Sequence, residues 1–137
     1  LTPTEKALVI KKPKDALTVY KQKNIAEDSS NRNFPDQGLN DEGDAFRHFI
    51  WSGLLTKELG KSSAKEFLDV HENDPDEPDR ERQMELYNNN QGQTAAEALI
   101  KEGQWSLKSL EAKALEQLRS KKLQVIKPGL PIPKEPK

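Results

Sequence analysis

One stretch of this chain constrains its fold more than any other. Residues Asp41–Leu59 read Asp-Glu-Gly-Asp-Ala-Phe-Arg-His-Phe-Ile-Trp-Ser-Gly-Leu-Leu-Thr-Lys-Glu-Leu. At about 100° of rotation per helical residue, Asp44, His48, Trp51 and Leu55 fall on one stripe. Phe46, Phe49, Ile50 and Gly53 fall on the opposite side. A helix that is apolar on both sides is wrapped by other helices. Asn40 or Asp41 is placed to cap its start, and Gly60 to end it. The segment therefore predicts a central helix that carries Asp44 and His48 into the interior.

Four further helices are expected around it. Lys14–Asp28 follows Pro13, with Ala16, Leu17, Val19, Tyr20 and Ala26 as its apolar positions. Ser63–Glu72 opens with the capping-box pattern Ser63-x-x-Glu66. Asp79–Lys101 follows Pro78, with Gly103 just beyond it. Ser106–Ser120 starts at a capping serine and repeats Leu107, Leu110, Ala114, Leu115 and Leu118 at helical spacing. Ser29–Leu39 and Asn73–Glu77, rich in Asn, Asp, Pro and Gly, read as loops. No segment alternates as a strand would. The expected fold is all-α, a compact irregular bundle of about five helices.

Hydrophobic residues make up 33% of the chain and charged residues another 33%. A core can form, but long stretches must lie outside it. Residues 14–120 are expected to hold that core, between a basic N-terminal segment (1–13) and a Pro-rich basic tail (121–137). The last eleven residues, from Lys127, contain four prolines. Proline lacks an amide donor and fixes φ, so the tail is expected to be extended, either draped on the bundle or disordered.

Composition also excludes chemistry. With no Cys there is no disulfide, zinc-thiolate site, iron–sulfur cluster or thiol nucleophile. No apolar run approaches the roughly 18–20 residues needed to span a bilayer. A net charge of −1 argues against non-specific nucleic-acid binding. Both ends are basic, while Asp69, Glu72, Asp74, Asp76, Glu77, Asp79, Glu81 and Glu85 make the middle acidic. The ends are expected to lie against that middle or to stay solvated. The alternative is an anionic partner such as a cell-wall polymer, lipid headgroup or nucleic acid. The chain begins at Leu1 and not at Met, so an upstream piece is expected to have been removed, and no signal peptide remains to be read.

Both histidines fall on inward stripes. In Ser63–Glu72 the stripe is Ala64, Phe67, Leu68 and His71, with Glu72 alongside; in Asp79–Lys101 it is Met84, Asn88, Gln91, Ala95 and Leu99. Gly92 in mid-helix costs about 1 kcal/mol against Ala, which a close helix approach would offset. Buried polar groups cost several kcal/mol unless partnered. Asp44, Arg47, His48, His71, Glu72, Asn88, Asn89 and Gln91 are therefore expected to meet one another.

The run Asp44-Ala-Phe-Arg-His48…Trp51, then Ala64…His71-Glu72, then Met84…Leu86…Asn88-Asn89…Gly92 resembles a widespread, poorly characterised bacterial helical domain. That domain is found in exported cell-surface proteins and at the C-termini of large toxin-like or wall-associated proteins. The resemblance covers roughly residues 40–95. It implies a helical fold, an exported or envelope setting and a functional pocket, without a defined reaction. The chain departs from the usual pattern at Gln93, where Arg is common, and at Glu85, where Asp is common.

Two catalytic readings follow from the residues. In the first, His48, His71 and Asp44, with Glu72, ligate a divalent metal that activates water for hydrolysis. In the second, no metal is needed: Asp44 orients His48 as general base, Glu72 is the acid, and Arg47, Asn88 or Asn89 stabilises developing charge. Asn88, Asn89, Gln91 and Trp51 are the candidate binding residues. The bland alternative is a binding or structural module in which the same cluster only fixes helix packing. The acidic run Asn73-Asp-Pro-Asp-Glu-Pro-Asp79 lacks the glycine and twelve-residue frame of a calcium loop.

Overall fold

The computed structural model of the chain describes all residues, 1–137, and contains no strand. Six helices follow one another: α1 (Pro3–Lys11), α2 (Pro13–Asn33), α3 (Glu42–Leu59), α4 (Lys61–His71), α5 (Asp79–Lys101) and α6 (Leu107–Arg119). The bundle is all-α, as expected.

α3 is the axis. Every residue from Glu42 to Thr56 is buried except Arg47, and α2, α4, α5 and α6 pack around it. Its start is capped by Asp41, whose carboxylate accepts the Asp44 amide at 3.1 Å. Gly60 ends it at φ +83°, a left-handed conformation that favours glycine, and at once opens α4. The most intimate contact is with α5 at Gly92. A Cβ there would collide with the Ser52 hydroxyl and the Phe49 carbonyl. The mid-helix glycine thus permits the close approach that offsets its conformational cost.

Three local expectations change. The first is α1, in a segment read only as a basic N-terminal one. Thr2 Oγ1 accepts the Glu5 amide at 3.1 Å, and Glu5 Oε1 accepts the Thr2 amide at 3.2 Å, a capping box with Pro3 in the first turn. Only Glu5 and Leu8 of this helix are buried, so hydrophobic periodicity could not show it.

The second is α2, which continues through Asn33 instead of ending at Asp28. Its polar end Ser29-Ser30 has tertiary partners: Ser29 donates to Glu111, and Ser30 to the Gly43 carbonyl at 3.0 Å. The third is α4, which starts at Lys61 and leaves the Ser63/Glu66 box unused. Glu66 pairs instead with Lys12 at 3.4 Å.

The Pro-rich tail is draped on the bundle. The Glu42 carboxylate accepts the Gly129 amide at 2.9 Å and the Leu130 amide at 3.1 Å. The Asn40 carbonyl accepts Lys127 N–H at 2.8 Å. The tail is therefore tied to the start of α3 through its backbone, and its lysines are not what hold it there.

Candidate functional site

Near the start of α3, side chains converge that reach the interior from three helices. Asp44, one turn before His48, is nearly fully buried. Its Oδ2 accepts the Asn40 amide at 2.8 Å, and its Oδ1 accepts Arg47 Nη2 at 2.5 Å. Asn40 holds φ at +67°, a conformation asparagine tolerates better than most residues, and this turns its amide onto the carboxylate. Burial works against a charge on Asp44. The hydrogen bond and charge of His48, the Asn40 amide and the Arg47 guanidinium overcome it and hold the carboxyl well below its usual range.

His48 is also buried. Its Nδ1 donates to the Asp44 carbonyl oxygen at 2.9 Å and lies 3.3 Å from Asp44 Oδ1. Both neighbours are acceptors, so Nδ1 carries a proton. The other nitrogen, Nε2, faces Glu72 Oε1 at 3.7 Å and Glu85 Oε1 at 3.9 Å. Burial disfavours the imidazolium, but the Asp44 and Glu72 carboxylates raise its pKa to about 9.

Glu72 caps the end of α4 and is 2% exposed, yet its Oε1 has no hydrogen-bond donor. Glu85 comes from the second turn of α5, one turn before Asn88 and Asn89. The ligand atoms of His48, Glu72 and Glu85 lie within 4.8 Å of one another.

This cluster opens into a cleft of about 610 Å³. The acidic loop between α4 and α5 forms one wall with Asp74, Asp76 and Glu77, and the start of α1 forms another with Leu1, Thr2 and Glu5. Arg82 holds the loop in place, donating to the backbone carbonyls of Glu72 at 3.0 Å and Glu77 at 3.4 Å and to that of Asp74. Burial and the charge of Glu72 push Glu77 up to about 7, against the opposing charge of Arg82. A cleft with six carboxylates in its lining against one arginine is suited to a cation.

The other expected site residues are distributed differently. His71 lines the same cleft, but its Nδ1 pairs with Glu5 Oε2 at 3.0 Å and its ring stacks edge-on against Trp51 with centroids 5.1 Å apart. Of His48, His71 and Asp44, only His48 belongs to the three-ligand cluster. Trp51 donates its indole N–H to the Val19 carbonyl at 3.2 Å. Asn88 uses both amide atoms on the tail, donating to the Gln124 carbonyl and accepting the Gln124 amide, each at 2.9 Å. Gln91 is half-buried. Asn89 is 3% exposed, and neither amide atom has a partner.

Three contributors were not among the candidate site residues, although the resemblance had marked Glu85 and Gln93 as departures from its pattern. Glu85 completes the cluster; its carboxylate at a position where the resembled domain commonly has Asp, one turn before Asn88 and Asn89, was the available signal. Gln93 ties α5 to α3 and α4 through the Thr56 hydroxyl and the Lys61 carbonyl, both at 3.1 Å. Arg82 had no signal beyond standing in an acidic stretch.

No curated protein and no solved structure matches the chain. A family profile described as Domain of unknown function (DUF6973) matches residues 6–122, and the chain belongs to that family.

Proposed function

We propose that this protein is a hydrolase working with a divalent cation held by His48 Nε2, Glu72 and Glu85. The observation that carries this reading is the Glu72 carboxylate. It is buried, its Oε1 lacks any donor, and it faces the outer nitrogen of a histidine whose inner nitrogen is already held. A buried carboxylate oxygen without a donor is costly, and a cation between these three groups would remove that cost. One imidazole and two carboxylates suit Zn²⁺, Mn²⁺ or Fe²⁺. Such an ion would polarise a carbonyl or phosphoryl oxygen and lower the pKa of a bound water. The protein's own part is orientation. Asp44 and its carbonyl fix the Nδ1–H side of His48, so Nε2 is the ligand atom. Arg47, half-exposed at the cleft, offers positive charge to an anionic intermediate.

Asn88 and Gln93 favour a second reading, because Asn88 spends both amide atoms and Gln93 its Nε2 on packing between elements of the fold. In that reading the His48 cluster fixes helix register in a non-catalytic module. Metal content by mass spectrometry on untagged protein, with Zn²⁺ and Mn²⁺ titrations into the stripped sample, separates the two. Near-stoichiometric metal that is lost in His48→Ala, Glu72→Gln and Glu85→Gln supports the hydrolase, and turnover of ester, amide or phosphoester probes by the loaded protein then completes the case. No binding at micromolar metal overturns it. The resemblance noted above supports an exported or envelope-associated bacterial setting, which cell fractionation tests.

A further inference from the structure

The two most exposed large apolar side chains of the chain, Ile10 at 81% and Leu17 at 74%, flank a single elbow. That elbow is Lys12-Pro13, where α1 passes into α2. α1 packs on α2 and α4, and α2 packs on α3, so the two helices form an outer layer of the bundle. Lys6 and Ile10 stand one turn apart on the exposed side of α1. Lys14, Leu17 and Lys21 stand one turn apart on the exposed side of α2, and Lys11 is exposed at the elbow itself.

The charge of this face is not neutralised within the chain. The lysines that pair with a carboxylate are Lys12, Lys61, Lys65, Lys108 and Lys113. Lys6, Lys11, Lys14 and Lys21 stand outside every such pair. Residues 1–25 carry two carboxylates, Glu5 and Asp15. Glu5 is buried and turned inward to His71, and Asp15 is half-buried. Apart from Lys12, the basic N-terminal segment therefore faces outward and not onto the acidic loop.

Four unpaired lysines alone would suit any polyanion. Ile10 and Leu17 narrow the choice. An exposed aliphatic side chain gains nothing on a charged polymer, but it gains by leaving water for the acyl boundary of a bilayer. Lysine stems can follow it there while their ammonium groups stay among the headgroups. A second copy of the same face is opposed by like charge.

We propose that the α1–α2 elbow docks the protein on an anionic lipid bilayer. Ile10 and Leu17 enter the acyl boundary, and Lys6, Lys11, Lys14 and Lys21 meet the lipid phosphates. No helix is long and apolar enough to cross a membrane, so the attachment is to the surface. The docking is independent of the hydrolase reading.

The test is co-sedimentation of the full chain with vesicles. Vesicles of phosphatidylcholine and phosphatidylglycerol in equal parts retain the protein, vesicles of phosphatidylcholine alone do not, and added salt releases it. Lys11→Gln and Lys14→Gln each weaken retention about fivefold, as expected for one lysine at an anionic surface. Ile10→Ser combined with Leu17→Ser weakens it about tenfold or more. All four side chains are exposed, and circular dichroism checks that each variant keeps its helices.

Failure to sediment with the anionic vesicles overturns the proposal. So does retention that none of these variants changes, which would place the contact elsewhere, as on the lysines of the tail. Retention lost in the lysine variants, kept in the Ile10/Leu17 variant and fully competed by soluble polyphosphate overturns it in favour of an anionic polymer.

Discussion

His48 Nε2 stands 3.7 Å from Glu72 Oε1, too far for a hydrogen bond, while His48 Nδ1 is held at 2.9 Å by the Asp44 carbonyl. One side of the ring is fixed by its own helix, and the other is left facing a carboxylate oxygen without a donor. A structural histidine gains most by pairing both nitrogens. The asymmetry here leaves room for a ligand between α3 and the end of α4.

Removing His48 and removing Glu72 should have unequal effects on the metal-free protein. His48→Ala strands the Asp44 and Glu72 carboxylates in the interior and should cost about 2–4 kcal/mol. Glu72→Gln removes one of the two carboxylates that hold the His48 imidazolium but also relieves its repulsion on Glu77, so it should change stability by less than about 1 kcal/mol. Urea unfolding of the two variants at pH 6 checks both. Equal, large losses from both would mark the cluster as a packing network.

Stability should fall as pH rises. The folded pKa of His48, about 9, is above its free value of 6.5, so its contribution is full below pH 6.5 and lost by pH 9. Glu77, raised from 4.5 to about 7, loses its contribution across that earlier interval. Asp44 is shifted the other way, so its contribution is present above its ordinary value of 3.8 and lost as pH falls below it. Thermal melts of metal-free protein should therefore peak near pH 4–5 and decline toward pH 9. Saturating Zn²⁺ should flatten the alkaline decline, because the cation replaces the proton on His48. A melt profile flat from pH 5 to 9 without metal would contradict the assigned shifts.

Gly92→Ala should be destabilising even though alanine is the better helix former. The gain of about 1 kcal/mol in propensity is set against a collision with Ser52 and the Phe49 carbonyl, which should cost about 3 kcal/mol or more. Chemical unfolding should show a net loss. A gain would mean that α3 and α5 separate readily.

Asn88→Ala should release the tail and spare the cluster. It breaks both hydrogen bonds to Gln124, which should cost about 1–3 kcal/mol. Hydrogen exchange at the Gln124 amide should accelerate, while the affinity for Zn²⁺ stays the same. A loss of metal binding without faster exchange would move Asn88 from the tail to the site.

Much of the fold could be read from sequence because its signals are local or periodic. Asp41 and Ser106 as caps, Gly60 as the exit of α3, Pro78 before α5 and the two-sided apolar pattern of Asp41–Leu59 are each set by neighbours a few residues away. The burial of Asp44 and His48 followed from that pattern alone. Gly92 was legible as a contact point, since a glycine inside a long helix needs compensation.

What tertiary structure alone decided is which inward polar groups meet. Helical periodicity gives a residue's face but not its height or its partner on another helix. Asn88 and Asn89 are adjacent in sequence, yet one is spent on Gln124 and the other is left unpartnered. Glu85 joined the cluster because α5 crosses α3 at Gly92 and so brings its second turn level with His48. His71, read from its stripe as a metal ligand, is paired with Glu5 from a helix that hydrophobic patterning could not show. Local chemistry determined the helices and their inward faces, and the crossing of α3 by α5 determined the site.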